Sequence, residues 1–341
     1  MKDRVVAYDF LNILACMSVI FLHHSGIVHH YNGQSMWFCA LAVECIFYFA
    51  VPCFFMLTGA TLMRYDDRYS TKTFFRKRLS RTVIPFILWS CIWLLLNIIK
   101  GDVDVCDLAI SQVLDGIINT RYQPIYWFFI PLFVCYLLLP LLVKAKDDTK
   151  LIKYLIFLFF TLGSCVPLLS RLLDIQENAF LSNAIFGPLM YLLCGYYFSR
   201  NRLKTNEMGG LIFVALISLL VRYFVTMNLS LSEGQTNKIL FGYYLPTAVF
   251  PSLCVFILIV RHNFIYSDRM MAFLKKISSL SLGVYLLHKL VMFIELRALQ
   301  YVSIDEDSLF YILLMPFVTW LICVMIVSLV KKVKLLNFIF P

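Results

Sequence analysis

Several side chains that can hold or transfer protons lie within or beside long apolar runs of this sequence. His23 follows the run that begins at Val6, His288 lies in a late run beside Lys289, and Glu44 opens another run. A histidine is able to act near neutral pH as a general base that removes a proton from a hydroxyl group. Because ionisable groups are costly inside a membrane, each of these residues is a candidate for function.

Each candidate also has an explanation that needs no catalysis. Glu44 could lie in the lipid headgroup layer, while Lys289 and Arg222 could pair with a carboxylate or extend to the membrane surface. The other histidines of the first region are expected to be interfacial residues on a loop: His24, His29 and His30. Their spacing does not place three histidines on one helical face, so we expect no metal site.

The segment 64–82 is the densest charge feature of the chain, with seven lysines and arginines. Arg76, Arg78 and Arg81 lie in the part of it that leads into Pro85. Arginine makes forked hydrogen bonds to phosphate, so a phosphate-bearing cytoplasmic ligand is one explanation. A positively charged anchor that contacts anionic membrane lipid is the alternative.

The composition requires membrane helices to position these residues. The 341 residues are 61% hydrophobic and 15% charged, with a mean hydropathy of +0.81, which excludes an ordinary soluble enzyme. We therefore predict an all-α polytopic membrane helix bundle of about ten transmembrane helices, in a single domain over residues 1–341. The predicted spans are 6–24, 39–63, 83–99, 127–143, 151–170, 184–198, 210–229, 240–260, 277–296 and 309–330.

The distribution of charge predicts the orientation. The N-terminus and alternate loops hold 23 of the 30 lysines and arginines, so both termini are expected in the cytoplasm. The opposite loops carry more acid than base, with Asp107 among the acids. Because the net charge of +10 is concentrated in short loops, we expect no binding of nucleic acid.

The eleven cysteines do not suggest a structural framework. Only Cys106 lies in a clear loop, and no C-x-x-C pair occurs. We therefore expect neither a disulfide framework nor a thiolate zinc site.

Five segments in order, from residue 8 to residue 288, resemble the integral-membrane acyltransferase family known as the acyltransferase-3 group. Residues 8–16 with 19–23 resemble its D-x-L-R opening and first-helix histidine, and 51–59 its P-x-F-F-x-x-S-G helix. Residues 74–81 with Pro85 resemble its cytoplasmic R-x-x-R segment, 127–129 its W-F helix, and 281–288 its late S-x-G-x-Y-x-x-H helix. The family includes O-acetyltransferases of surface glycans.

The resemblance implies roles for particular residues. The first-helix histidine, thought to be the base or the acyl carrier, corresponds to His23, and the pair thought to hold the phosphates of an acyl coenzyme corresponds to Arg78 and Arg81. The late pair corresponds to Tyr285 and His288, either of which could stabilise an oxyanion. The candidates for catalysis are His23, His288, Tyr285 and Glu44, and those for donor binding are Arg76, Arg78, Arg81 and Asn12.

Two positions depart from the family pattern. Asn12 stands where the family usually has arginine, and Ile125 where it often has histidine. Asparagine donates and accepts hydrogen bonds but cannot neutralise a phosphate.

The resemblance implies a multi-pass enzyme of a bacterial cytoplasmic membrane. It would move an acyl group, acetyl by expectation, from cytoplasmic acyl-CoA to a hydroxyl of a cell-surface or lipid-linked glycan, without a metal. Glu44 is expected to orient the imidazole of His23. One alternative is an exporter of a small polar molecule or polysaccharide, and another is an inactive subunit of a glycan-assembly complex.

Overall fold

The computed structural model describes residues 5–105, 108–176, 183–261, 266–301, 303–333, 336 and 338–340. Within these residues the chain forms helices and no strands. Cys106 and Asp107, which were assigned to an outer loop, lie outside the described residues. The helices are α1 Val6–His24, α2 Ser35–Phe47, α3 Ala50–Leu62, α4 Thr71–Arg78, α5 Ile84–Lys100, α6 Ile110–Ile118, α7 Phe129–Leu142, α8 Thr149–Phe160, α9 Val166–Leu172, α10 Asn183–Arg200, α11 Thr205–Glu233, α12 Pro246–Arg261, α13 Asp268–Ser278, α14 Ser281–Gln300, α15 Leu309–Leu313 and α16 Met315–Val330.

The described chain has six helical segments long and apolar enough to cross a membrane, which confirms an all-α polytopic bundle. They are Val6–His24, Ser35–Asp67, Thr71–Lys100, Pro124–Ala145, Thr149–Leu172 and Thr205–Glu233. The pair α13 and α14, bent by 55°, makes a seventh if it counts as one span. Predicted spans 184–198, 240–260 and 309–330 fall on α10, α12 and α15–α16. The count of ten and the cytoplasmic termini stay predictions.

Helix α1 lies at the centre of the part of the bundle that carries the candidate residues. It packs against α2, α3 and α12 to α16. Its buried face includes the small residues Ala15 and Cys16, which allow neighbouring helices to approach closely. Because of this, α1 determines where the polar residues of several other helices come together.

Helices α1 and α14 run side by side in the same direction. Asn12 Nδ2 donates to the backbone oxygen of Ser278, 3.0 Å away, just before α14 begins. Cys16 Sγ donates to the Ser281 oxygen at 3.5 Å, and the rings of His23 and His288 stack further along. The two helices therefore start at the same end of the bundle, and the histidine pair lies at the end of α1 and beside the first half of α14.

Helices α3 and α10 cross at two glycines. A Cβ atom on Gly59 would lie 1.7 Å from the Leu192 oxygen, and one on Gly195 would lie 2.0 Å from the Met56 oxygen. Only the absence of a side chain permits such backbone contact, which is a common way of packing membrane helices. Gly59 of the second family-like segment, 51–59, is thus a packing residue.

A hydrogen-bonded tie joins α5, the turn before α7, and α14. Trp93 Nε1 donates to the Tyr126 hydroxyl at 3.1 Å, which in turn donates to the Leu286 oxygen at 2.8 Å. The Tyr285 hydroxyl donates back to the Ile125 oxygen. This reciprocal pair holds the middle of α14 in position beside the W-F motif.

Part of the cationic segment 64–82 has a structural role. Arg64 contacts Asp67 and Asp147 at 2.6 Å each, and Lys146 contacts Asp66 at 2.6 Å and Asp67 at 2.8 Å. The hydrogen bonds to Asp66 and Asp67 raise the pKa of Lys146. These ion pairs connect the loop after α3 to the loop before α8. Part of the positive charge of the segment 64–82 is therefore neutralised within the protein and is not available to a ligand.

Candidate active site

Two cavities lie at opposite ends of the paired helices α1 and α14. One has a volume of about 380 Å³ and is lined by the beginnings of both helices. The other has about 710 Å³ and is lined by the end of α1 and by residues 289–296 in the middle of α14. Following the predicted orientation, we call them the inner and the outer cavity.

The inner cavity combines an apolar wall with many polar groups. Phe54, Leu57, Leu62, Phe128 and Leu132 form the apolar part. The polar lining residues are Tyr8, Asp9, Asn12, Thr58, Thr61, Arg78, Thr82, Tyr136, Ser278, Ser281 and Tyr285. This mixture fits a ligand that has both an apolar stem and hydrogen-bonding groups.

Arg78 is the cationic side chain of the inner cavity. Its guanidinium carbon lies 5.9 Å from the centre of the Phe74 ring and 5.6 Å from that of Tyr136. Its Nε atom is buried and has no hydrogen-bond partner among the described residues. A cation held in place by aromatic rings, with a donor still unused, is suited to binding an anion.

The other two predicted donor-site arginines do not line this cavity. Arg76 and Arg81 are exposed side chains on its outside. A π-helical turn, Leu79–Val83, separates Arg81 from α4 and rotates it away from the direction of Arg78. Burial, and then the positive charge of Arg81, lower the pKa of Lys331, so these two cations lie near each other at this end of the bundle.

Asn12 lines the inner cavity but already has partners. Its side-chain nitrogen donates to both the backbone oxygen and the hydroxyl of Ser278, each at 3.0 Å. At this position the side chain therefore joins α1 to the bend between α13 and α14. Its predicted contact with the donor stays a prediction.

His23 and His288 form a stacked pair between the two cavities. Their ring centroids are 5.2 Å apart, and the planes differ by 27°. His288 Nδ1 lies 2.6 Å from the Tyr285 backbone oxygen, which can only accept, so Nδ1 carries a proton. His288 Nε2 is buried and without a hydrogen-bond partner in the described structure, which leaves a lone pair able to take a proton.

Tyr285 connects this pair to the inner cavity. Its ring lines that cavity and lies 5.7 Å from the ring of His288. Its hydroxyl hydrogen is used in the bond to Ile125, and the Nδ1 hydrogen of His288 is also used. Neither residue, as placed, has a free donor for an oxyanion, so the structure does not support that role for the neutral pair.

The outer cavity is more polar than the inner cavity and opens from the histidine pair. His23 and Lys289 line its base, while Glu306 and Asp307 come from the loop after α14. Trp93 and Phe293 supply aromatic surface, and Asn32 and Gln123 supply amide groups. Aromatic faces among hydrogen-bonding side chains suit a polyhydroxylated ligand.

Glu44 has a different partner from the one expected. Its Oε1 atom lies 3.9 Å from Arg222 NH2, and Arg222 is only 1% exposed. The guanidinium group also lies 3.5 Å from the centre of the Tyr48 ring. Among the described residues Glu44 shows no contact with His23, and its cationic neighbour is Arg222 of α11. Its catalytic role remains a prediction.

His24 corrects the expectation of an interfacial residue on a loop. It is the last residue of α1, is 1% exposed and contacts Thr319, which contacts Glu295. Sequence reasoning missed Glu295 and Thr319. The available signal was a carboxylate inside predicted span 277–296, seven residues after His288 and therefore on the same helical face.

The described cysteines are free thiols, and no group of three or more potential ligands could hold a metal ion within the described ranges. His29 and His30 are exposed in the short helical turn after α1. Of the four histidines of this region, His23, His24 and His30 line the outer cavity and His29 does not.

Comparison with known proteins assigns the chain to a family. A family model described as an acyltransferase domain matches residues 5–330, nearly the whole chain. No curated protein and no solved structure matches significantly. The match includes both cavities and the histidine pair between them. The chain therefore belongs to the acyltransferase-3 family of membrane O-acyltransferases, as its motifs indicated, and is a multi-pass membrane acyltransferase.

Proposed function

We propose that the protein transfers an acetyl group from cytoplasmic acetyl-CoA to a hydroxyl of a cell-surface or lipid-linked glycan in a bacterial cytoplasmic membrane. The observation that carries this proposal is the position of His23 and His288 between two cavities that lie at opposite ends of α1 and α14. One cavity would admit the donor and the other the acceptor, so that they meet at the histidines.

The donor belongs in the inner cavity on chemical grounds. An acyl-CoA has anionic phosphates at one end and a flexible, partly apolar arm that carries the thioester at the other. Arg78 would hold a phosphate, and Arg81 and Lys331 add positive charge at the same end of the bundle. From Asn12 to His23 the rise along α1 is about 16 Å, which an extended arm has to cover.

The acceptor belongs in the outer cavity. Its volume of about 710 Å³ suits one or two sugar rings, and its side chains offer both stacking and hydrogen bonding. A sugar hydroxyl that lies against His23 would then face the thioester from the other side.

The side chains at the junction would carry out the proton transfers. His23, or His288 through its free Nε2 lone pair, takes the hydroxyl proton as the oxygen attacks the thioester carbonyl. A carbon–oxygen bond forms, the carbon–sulfur bond breaks, and the imidazolium returns the proton to the leaving thiolate. Lys289, which lines the base of the outer cavity, is the nearby cation for the transient oxyanion.

Turnover by purified protein tests this function. We expect acetyl transfer from acetyl-CoA to the glycan, and a loss of about 10²–10⁴-fold for His23→Ala, because that is the usual value of a general base. His29→Ala is the matched control, since His29 is exposed and does not line the outer cavity. Full activity of His23→Ala would exclude His23 as the base. Export of a glycan without acetyl-CoA turnover would favour the transporter alternative.

A further inference from the structure

Three polar side chains from three helices form a continuous chain beside the outer cavity. His24 on α1 has Nδ1 2.9 Å from the Ile20 oxygen and Nε2 3.1 Å from Thr319 Oγ1 on α16. Thr319 Oγ1 lies 2.5 Å from Glu295 Oε2 on α14. His24, Thr319 and Glu295, which we call the relay, are 1%, 0% and 8% exposed.

Counting hydrogens in the relay shows that all of its contacts can be hydrogen bonds only if it holds one more proton than a neutral histidine with an ionised glutamate. The Ile20 oxygen can only accept, so His24 Nδ1 carries a hydrogen. Thr319 has a single hydroxyl hydrogen for two contacts. If it points to His24, then Glu295 must be a protonated acid; if it points to Glu295, then His24 must be an imidazolium. A neutral histidine with an ionised Glu295 would leave two lone pairs facing each other.

The surroundings favour the first arrangement. Glu295 Oε1 is buried and has no hydrogen-bond partner among the described residues. An ionised carboxylate with an unpaired buried oxygen is costly, whereas a protonated acid that donates through Oε2 is not. His24 Nε2 lies 4.0 Å from Glu295 Oε2, and a neutral imidazole there offers the carboxylate no positive charge. The relay is therefore best described as a neutral acid, a hydroxyl and a neutral imidazole in series.

The relay lies beside the histidine pair on both helices. His24 directly follows His23 on α1, and Glu295 follows His288 by two turns on the same face of α14. The relay and the ring stack are thus two parallel links between α1 and α14. Since α14 otherwise touches the end of α1 through the stack, loss of the relay would let His23 rotate relative to His288.

We infer that the relay is a proton-dependent latch that positions His23 for acyl transfer, a role that rests on the proposed use of His23. With its proton in place, every contact is a hydrogen bond and the end of α1 is held. When the proton is lost at high pH, one contact becomes repulsive and the latch opens. His24 lines the outer cavity, whereas Thr319 and Glu295 do not, so these two act through the histidines of α1.

Other titratable groups face the relay from the elements packed around it. Tyr311 on α15 has its ring 4.7 Å from that of His24. The remaining neighbours are His23, His288, Lys289, Glu306 and Cys323. An assignment of pH dependence to the relay must therefore come from variants of the relay itself.

Glu295→Gln separates the relay from these neighbours. A glutamine amide donates to Thr319, whose hydrogen then goes to His24, so this variant reproduces the protonated latch but cannot lose its proton. We expect near-normal acyl transfer at neutral pH and no decline in kcat at alkaline pH, where the wild type declines. A Glu295→Gln profile that superimposes on that of the wild type would overturn the inference.

Thr319 provides the second pair of variants. Thr319→Val removes the shared hydroxyl, and we expect kcat to fall about ten- to a hundredfold, with KM for the acyl donor changed by less than about twofold. Thr319→Ser keeps the hydroxyl and should restore kcat. Equal activity of Thr319→Val and Thr319→Ser, in preparations of equal monodispersity, would refute a positioning role.

Infrared difference spectroscopy tests the relay independently of catalysis. A pH titration of the purified wild type should show the carbonyl band of a buried protonated carboxyl that Glu295→Gln lacks and Glu44→Gln, which removes the other buried glutamate, retains. Absence of the band from the wild type would overturn the latch even if acyl transfer occurs. Presence of the band without any acyl transfer would leave the relay intact and refute the proposed function instead.

Discussion

Arg78→Ala is the most informative single change at the inner cavity. The side chain lines the cavity, and its buried Nε atom has no hydrogen-bond partner among the described residues. If the donor phosphates use this group, the variant loses a charge-assisted hydrogen bond and gains nothing in exchange. Arg76, exposed on the same helix, provides a matched control of equal charge.

The size of the effect follows from the interaction that is removed. A hydrogen bond to a charged group contributes about 1.5–3 kcal/mol, and 1.36 kcal/mol corresponds to a tenfold change in affinity. We therefore expect Arg78→Ala to weaken the binding of acetyl-CoA by about 10- to 150-fold. Arg76→Ala should weaken it by less than about threefold, because exposed and screened charges contribute little.

Calorimetric titration of the detergent-purified variants with acetyl-CoA measures both values directly. Dephosphorylated pantetheine thioester is a useful second ligand, since it lacks the phosphates and should not distinguish Arg78→Ala from the wild type. Equal affinities of the wild type and Arg78→Ala for acetyl-CoA would refute the donor assignment. If Arg76→Ala and Arg78→Ala lose the same affinity for acetyl-CoA, the effect comes from the general positive charge of the surface and not from a specific site at Arg78.

Three further predictions concern separate features. In the free protein, burial and the charge of Arg81 lower the pKa of Lys331. Because a bound phosphate favours the ammonium form of Lys331, the affinity for acetyl-CoA should fall as pH rises through that lowered pKa. Binding titrations of Lys331→Arg should show a weaker dependence of affinity on pH. Gly59→Val should lower the free energy of unfolding by about 1–3 kcal/mol or prevent folding. Gly209→Ala is the control, because no atom lies near the added Cβ, and it should leave that free energy unchanged. Thermal unfolding of both variants measures the difference. Tyr285→Phe should lower stability by about 1–3 kcal/mol because it leaves the Ile125 oxygen unpaired, but it should reduce kcat less than tenfold. A fall in kcat of more than a hundredfold would instead support a role of Tyr285 in stabilising the oxyanion.

The arrangement of the histidine pair could be anticipated in part. The motif positions of His23 and His288 indicated a shared site, and the helix-rise argument placed His23 near the outer interface and His288 deeper in the bundle. Their stacking required knowing that α1 and α14 are neighbours, which depends on the small residues Ala15 and Cys16 and on the Asn12 contact to Ser278. A single sequence carries no direct record of such contacts between distant helices.

The expectations for Glu44 and for the arginines missed part of the structure for the same reason, since they too depended on local geometry and contacts between helices that a single sequence does not record. Glu44 and Arg222 each stood out as costly membrane residues, but their pairing became visible only when α2 and α11 were found to be adjacent. The R-x-x-R motif gave Arg78 and Arg81 the same expected role, and the π-helical turn that separates their directions could not be read from the motif. Glu295 was missed although it is a carboxylate inside a predicted span, whereas its hydroxyl partner Thr319 carried no signal of its own.

An assay in which each substrate is confined to one side of a membrane tests the central claim that donor and acceptor enter from opposite sides. In oriented proteoliposomes, acetyl-CoA would be confined to the side of Arg78, and an impermeant glycan acceptor to the side of Lys289. The account predicts acetylated glycan in the compartment that never contained acetyl-CoA, and none with His23→Ala. Product that forms only when both substrates share one compartment would contradict the account.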